Sequence, residues 1–380
     1  VKILLLGSVR DAHLNRFINN LKLADKTNSI SIDVFDIWGV NEKNNRYIRD
    51  LYSVRLHFKN FLYNIPVLSS LLHIIDYRIS FRKVSNQYDV VNIHYVTDIS
   101  YYILDIIKRR TAKIVVTPWG SDIYRIKESD KGKVRKVLKD GYAITYPHDR
   151  MKYDIQKIFS LGSAVFVQMY FGSETIDSLL RMPYNQTEAK EKLGFAKKYI
   201  IVCGYNRVPE QNHENIITAL VAVKKRLPNN TMLVFPFSYG ICPNNYKISL
   251  VSKLMESGFE YRFFDNYLTN EENALLRISA DMFIHIQTTD ANSATIQEFL
   301  LTDTVVFNGA WLKYPLLEQH NQMPYIRVDS MNDLSSKIVQ YFNGSVLVSV
   351  SNECKEIINS NSWGNRGKEW FNYFKKISSI

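Results

Sequence analysis

Short apolar runs, each followed by enough chain for a helix, recur along the first 150 residues, lapse in a polar stretch, and begin again near residue 199. The first series comprises residues 2–6, 31–35, 90–94, 113–117 and 143–146, and the second 199–203, 231–235, 260–264, 282–285 and 304–307. Helical periodicity fills the gaps of the second series at 212–226, 246–257, 270–279 and 295–301. A strand that is apolar on both faces must be covered on both faces, which a parallel sheet flanked by helices achieves. Two series in tandem therefore predict two Rossmann-like α/β domains facing each other across a cleft. A chain of 380 residues is long enough for two or three domains. The boundary is expected in the polar stretch 181–198, giving an N-terminal domain over 1–184 and a C-terminal domain over 185–358. Residues 359–380 read as a closing amphipathic helix with Trp363, Trp370, Phe371, Tyr373 and Phe374. Ligands of such sheets sit at the carboxyl ends of strands, so the cleft is the expected active site.

Charge divides the chain in the same way. Lys and Arg number 48 against 37 Asp and Glu, a net +11. Residues 1–185 hold 28 basic and 18 acidic side chains, whereas 186–380 hold 20 and 19. The basic half calls for an anionic partner, either nucleic acid or a membrane surface. Its cations concentrate in 43–83 and 108–139. In 43–83, Lys43, Arg46, Arg49, Arg55, Lys59, Arg78, Arg82 and Lys83 interleave with Tyr52, Phe58, Phe61, Ile65, Leu68 and Leu71. That mixture suits an interfacial segment on anionic lipid. It is equally the pattern of a helix whose apolar face is core and whose cations are solvated. No RNA- or DNA-binding signature is present, so nucleic acid is not expected. The apolar stretch 65–75 contains Ser69, Ser70 and His73 and is too short to span a bilayer. Residues 1–7 read as a buried strand rather than a signal peptide. Cys203, Cys242 and Cys354 match neither metal-ligand spacing nor a disulfide framework, which fits a reducing compartment. The expected setting is cytoplasmic, peripheral on the inner face of the cell membrane.

Four loops carry candidate chemistry. Thr288 to Glu298 follows a strand and opens a helix; small residues at 291–295 admit a ligand to the backbone, and the helix amides of Ser293, Ala294 and Thr295 favour phosphate. Asp290 could meet a sugar hydroxyl or simply cap the helix, and Glu298 could hold a ribose or face solvent. Cys203 to His213 joins a strand to a helix and offers Gly204, Asn206, Arg207 and His213. Thr117 to Tyr124 holds Trp119, Ser121 and Asp122, a stacking face and hydroxyl-binding groups, or else a core ring and a helix cap. Gly7, Ser8, Arg10, Asp11 and His13 follow the first strand without a G-x-G-x-x-G fingerprint. His94 and His148 also end strands.

The two-domain layout and the acidic pair Asp290 and Glu298, eight apart, resemble the Glu-x7-Glu element of GT-B fold glycosyltransferases, particularly family 4. Asp290 stands where the family has glutamate, one methylene shorter. The resemblance implies that Asp290 contacts the donor sugar, Glu298 the nucleotide ribose and Arg207 the diphosphate, these three being the catalytic set. Gln211 stands where a lysine is expected. Gly7, Ser8, Gly204, Asn206, His213 and Ser293, Ala294 and Thr295 would bind the donor; Arg10, Asp11, His13, Trp119, Ser121 and Asp122 would face the acceptor. Trp119 replaces a frequent histidine, and Asp11 or His13 is the candidate base. The Asn212-His213 ending is similar to the 4-acetamido-4,6-dideoxygalactose transferase of enterobacterial common antigen. No Asp-x-Asp element, zinc spacing or P-loop occurs, so neither metal nor cofactor is expected. The implied function is transfer from a nucleoside-diphosphate sugar to a hydroxyl of a lipid-linked glycan in bacterial surface-polysaccharide assembly. A nucleotide-sugar 2-epimerase and a non-catalytic GT-B-like partner subunit remain alternatives. Asp290→Ala and Glu298→Ala are expected to depress transfer and leave the fold intact.

Overall fold

The computed structural model describes residues 1–40, 42–290, 293–318 and 323–379. The chain forms two units, Val1–Gly172 together with Trp363–Ile380, and Ser173–Ser362. The first contains a parallel sheet of β1 (Lys2–Gly7), β2 (Ser31–Asp36), β3 (Ile48–Ser53), β4 (Val90–His94), β5 (Ile114–Thr117), β6 (Ala143–Tyr146) and β7 (Phe166–Gln168), in the order 3-2-1-4-5-6-7. The second has β8 (Tyr199–Cys203), β9 (Thr231–Pro236), β10 (Glu260–Phe264), β11 (Met282–His285), β12 (Val305–Gly309) and β13 (Ile326–Val328), also all parallel, in the order 10-9-8-11-12-13. In each sheet the chain winds outward one way and then returns to wind the other. The switch points lie between β1 and β4 and between β8 and β11, where strand-end loops part and leave room for a ligand.

All ten apolar runs are strands. The structure adds β3, β7 and β13, which a search for apolar runs passes over. β7 and β13 are only three residues long, and β3 is an edge strand carrying Arg49 and Asp50. Edge strands need only part of an apolar face. β3 pairs with β2 and buries Ile48, and it is tied by charge as well: Arg49 donates from Nε to Oδ1 of the wholly buried Asp33 on β2 at 2.9 Å. Tyr88 donates to the other oxygen of Asp33 at 2.7 Å.

The first unit also shows how local sequence sets packing. Asp11 caps the helix Ala12–Ala24 by accepting from the His13 amide. Leu14, Phe17, Ile18 and Leu21, at helical spacing, form its buried stripe. The helix Trp363–Ser378 packs on this stripe: the Phe17 ring meets Trp370 edge-on at 5.0 Å and Phe374 at 6.4 Å. Trp370 Nε1 donates to the Tyr170 carbonyl at 2.9 Å.

The units therefore divide elsewhere than at 184/185. Residues 173–184 belong with the second unit, and the closing helix is part of the first. The polar stretch near 181–198 is no linker: it includes the helix Gln186–Lys192, whose Lys190 pairs with Asp281 at 2.7 Å. Its polarity is that of a solvent face.

The two crossings of the chain lie against each other at Gly172 and Trp363. A Cβ on Gly172 would stand 2.5 Å from the Trp363 Cα and 2.6 Å from its nitrogen, which is backbone and cannot swing aside. Gly172→Ala is expected to destabilise the protein by about 1–3 kcal/mol, as overpacking does. Gly162→Ala, with nothing within 4 Å of its Cβ, should be nearly neutral. Thermal unfolding of the two variants checks this.

Candidate functional site

At the β8/β11 switch point the residue after strand β8, Gly204, turns at φ +65°. A Cβ there would lie 2.9 Å from both Gln211 Oε1 and His213 Nε2, so only glycine fits. Gln211 closes the gap between the parting loops. Its Oε1 accepts from the Tyr205 amide at 3.1 Å, and its Nε2 donates to Gln287 Oε1 at 2.6 Å. Asn212 Nδ2 donates to the Ile286 carbonyl at 2.6 Å, and the Thr288 amide donates to the Glu210 carbonyl at 2.9 Å. The position where a lysine was expected is thus a buried amide that ties two loops, and it supplies no charge.

Arg207 is half-buried beside a 420 Å³ cavity lined also by Phe237, Cys242, Lys247 and Asp265. Its Nε donates to the Gly240 carbonyl at 2.6 Å, which fixes the guanidinium plane. The terminal nitrogens have no partner among the described residues, so the charge is available to an anion. Asn206 accepts from the Val208 amide at 3.0 Å and shapes this loop. His213, first residue of the helix His213–Ala222, is wholly buried among Phe235, Phe237 and Tyr246, with Nδ1 3.1 Å from the Tyr246 hydroxyl. Burial pushes its pKa down to about 4, so it is a neutral ring rather than a cation for phosphate.

The Asp290 carboxylate does not cap the following helix. Ser293 is the cap, accepting from the Thr295 amide at 3.2 Å, and the helix runs Ala294–Leu301. Ala291 and Asn292 lie outside the described residues. Asp290 Oδ2 accepts from the Tyr314 hydroxyl at 2.5 Å and stands 3.7 Å from His285 Nε2. Asn308 donates from Nδ2 to the Gly309 and Leu312 carbonyls, at 3.2 Å each, so its Oδ1 faces His285 Nδ1 at 2.9 Å. That puts the imidazole proton on Nδ1 and leaves Nε2 as a bare acceptor toward Asp290. Burial lowers the His285 pKa, partly offset by Asp290; burial and Asp290 together raise the Tyr314 phenol far above its ordinary value. Tyr205 stacks on His285 at 5.9 Å, and burial with Asp290 raises its phenol to about 12. Neither the tyrosines nor His285 carries a sequence signal; they belong to the site only because three strand ends meet there.

Glu298 is neither solvated nor open. It is 5% exposed; Oε1 accepts from Ser173 Oγ at 2.8 Å, and Oε2 pairs with Arg277 Nη2 at 3.1 Å. Arg277 is equally buried, its guanidinium over the Phe299 ring at 4.6 Å. The expectation that Glu298→Ala leaves the fold intact is therefore corrected, because that change strands a buried cation.

In the first unit, Gly7 is a packing glycine, whose Cβ would meet Leu14 Cδ2 at 2.9 Å. Ser8 Oγ accepts from the Arg10 amide at 3.3 Å, and the Arg10 side chain is exposed. Asp11 is engaged in capping. His13 is exposed, with its ring edge-on to Trp119 at 5.5 Å. The half-buried Trp119 also meets Tyr95 at 6.0 Å, and its Nε1 lies 3.4 Å from His94 Nδ1. Tyr95, a residue the sequence pattern does not single out, turns at φ +58°, and Ser121 Oγ lies 3.4 Å from its hydroxyl. Such a conformation in a non-glycine residue is sparsely populated and clusters at functional sites. Asp122 is engaged by the backbone. Oδ1 accepts from the Trp119 and Gly120 amides and Oδ2 from the Val96 amide, each at 2.9 Å, and the residue is 6% exposed. His148 caps the helix Asp149–Phe159. Among the described residues no group of three or more His, Cys, Asp or Glu is placed to hold a metal ion.

Residues 2–145 match the family model described as glycosyl transferase 4-like. No curated protein matches the sequence. Solved structures similar to it over whole chains include sucrose-phosphate synthase from Thermosynechococcus elongatus, at 12% identity and TM-score 0.70, covering 100% of both chains. A glycosyltransferase from Rickettsia africae has 15% identity and TM-score 0.70, covering 99% of this chain and 98% of that one. Anabaena HepE in complex with UDP and glucose has 13% identity and TM-score 0.66, with full coverage of both. The fold is the two-domain α/β GT-B fold.

Two measurements follow from this geometry. Glu298→Ala should lower stability by about 3–5 kcal/mol, the cost of unpairing a buried ion, and Glu298→Gln, which keeps an acceptor for Ser173, by less; denaturant unfolding compares them. His94, 1% exposed, has its pKa pushed down to about 3 by burial. The unfolded chain takes that proton near 6.5, so stability falls as pH drops from 6.5 toward 3. The slope from this residue is at most about 1.4 kcal/mol per pH unit, and His94→Gln should remove that component.

Proposed function

We propose that this GT-B chain is a glycosyltransferase that moves a sugar from a nucleoside-diphosphate donor to a hydroxyl of a glycan acceptor. The observation that carries the reading is the charge layout at the β8/β11 switch point: a positioned guanidinium, Arg207, and a carboxylate, Asp290, held by Tyr314. Arg207 and the amides opening Ala294–Leu301 take the diphosphate charge as the glycosidic bond breaks. No metal is needed in this scheme. Asp290 accepts a hydroxyl of the donor sugar and orients its reacting carbon. Glu298 supports the site from beneath, fixing the helix through Arg277 and Ser173. Support for the donor class comes from the family model over the first unit and from HepE, whose structures include complexes with UDP-glucose and UDP. Asn212 is bonded to Ile286 and His213 is neutral and enclosed, so the Asn-His pair serves the loop and carries no donor preference.

On the acceptor side, the exposed His13 with the half-buried Trp119 and Tyr95 offers aromatic faces for a sugar ring. The acceptor is lipid-linked, and the chain works at an anionic membrane surface in bacterial surface-polysaccharide assembly. That reading is supported by the positive charge of the first half and by the exposed Trp38, Leu56, Phe61 and Leu71 within and beside 43–83. No described helix is long and apolar enough to cross a membrane.

Thermal-shift titration with UDP-, GDP- and dTDP-sugars tests the donor. A ligand at one hundred times its Kd stabilises by about 2.7 kcal/mol, and one nucleotide class should stand out. Arg207→Ala and Asp290→Asn should each reduce transfer about 100- to 1000-fold with the unfolding midpoint unchanged, and chelator should leave the rate as it was. Full turnover in both variants would overturn the site assignment.

A further inference from the structure

A cavity of 980 Å³ opens in the first unit at the carboxyl ends of β2 and β3. Its apolar wall comprises Ile37, Trp38, Leu56, Ile74, Tyr77 and Ile99, and Arg55, Lys133 and Asp98 supply its polar part. The walls are tied to one another. The Tyr77 hydroxyl donates to the Ile37 carbonyl at 3.0 Å, and the Arg55 amide donates to Ser80 Oγ at 3.0 Å. Beneath the Trp38 turn, Asp36, wholly buried, accepts from the Trp38 amide at 2.8 Å and the Val40 amide at 3.0 Å. Its other oxygen accepts from the Val9 amide at 2.7 Å. One carboxylate thus joins the cavity mouth to the loop after β1 at the switch point of this unit.

Two of the lining side chains are apolar and yet open to solvent: Trp38 is 64% exposed and Leu56 57%. Phe61 and Leu71, in the segments Asn60–Asn64 and Pro66–Arg82 that follow in sequence, are 61% and 53% exposed. Large apolar side chains left open at a cavity mark an interaction site. Residues 43–83, which supply half of the lining, hold eight basic and two acidic side chains, and of the eight cations Arg49 and Arg78 pair with Asp33 and Asp105 outside that range. Of the acids, Asp76 is buried against His57 and Tyr63, and Asp50 pairs with Arg49. A cavity of this size holds a chain of drug-like length, and Arg55 on its lining favours an anionic head.

We propose that this cavity binds the first isoprenoid units of a polyprenyl-diphosphate acceptor, with the diphosphate at Arg55. The chain enters past Trp38 and Leu56, and the attached glycan is directed along the Asp36-braced loop toward Trp119 and Tyr95. This rests on the lipid-linked acceptor of the transferase reading and adds a location to it.

The test titrates the purified full chain with farnesyl diphosphate and with inorganic diphosphate, by calorimetry. Farnesyl diphosphate should bind at least ten-fold more tightly. Ile74→Trp, which fills the cavity, and Leu56→Asp, on its exposed rim where folding is not at risk, should each weaken farnesyl diphosphate at least ten-fold. Both should leave the thermal shift with UDP-sugars unchanged. Equal affinity for the two probes, or no loss in either variant, overturns the proposal. So does capture by phosphatidylglycerol vesicles without any farnesyl diphosphate binding, which would make the patch a surface for adsorption only. Nucleotide-sugar binding without preference for farnesyl diphosphate removes the cavity assignment and leaves the transferase; farnesyl diphosphate binding without any nucleotide response supports the cavity and removes the transferase.

Discussion

A parallel sheet covered on both faces satisfies its backbone everywhere except where strands end, and there the amides of the turning loops need acceptors that water cannot reach. In each unit of this protein a few buried side chains supply them. Asp36 and Asp122 accept from the loops after β1, β2, β4 and β5, and Gln211 from that after β8, while the half-buried Asn212 donates to a carbonyl of the loop after β11. Arg207, Asp290, Tyr95 and Trp119 sit on loops anchored in this way. Polar residues that look like ligand-binding groups are therefore partly the frame, and the ligand-facing groups are those the frame leaves over.

That distinction reorders the chemistry. Asp122, His213 and Glu298 have the residue types expected of a sugar- or phosphate-binding site, yet each is enclosed and bonded to the protein itself. Arg207, Asp290 and Trp119 keep a face or an atom turned away from such bonds. Around Asp290 the arrangement is asymmetric: Tyr314 donates to it, while His285 presents a lone pair. A hydroxyl placed there would find two acceptors, which a sugar can supply with a proton and an apolar ligand cannot.

Charge acts on a longer scale. The excess of cations on the first half, ten over that half's acids, cannot be paired within that half, and part of it falls in the same stretch of sequence as the exposed Leu56, Phe61 and Leu71. Where cations and apolar groups share a surface, an amphiphile satisfies both at once.

The sequence by itself determined the two sheets, because strands apolar on both faces can be buried in few other ways, and residues 2–6 or 282–285 read as such without any partner. It also placed the functional loops, since these follow directly from the strand ends, and it singled out Asp290, Glu298, Arg207 and Trp119. It did not show β3, whose Arg49 is stabilised by a carboxylate on another strand, nor where the units divide, because a solvent-facing helix and a linker have the same composition. Only the tertiary structure decided which acids are frame and which face outward. It brought His285, Tyr205 and Tyr314 to Asp290, and Trp370 back to Phe17, over separations that no local pattern records. Partners in burial and hydrogen bonding are chosen by packing between distant segments, and a residue's role follows from what packing leaves unpaired.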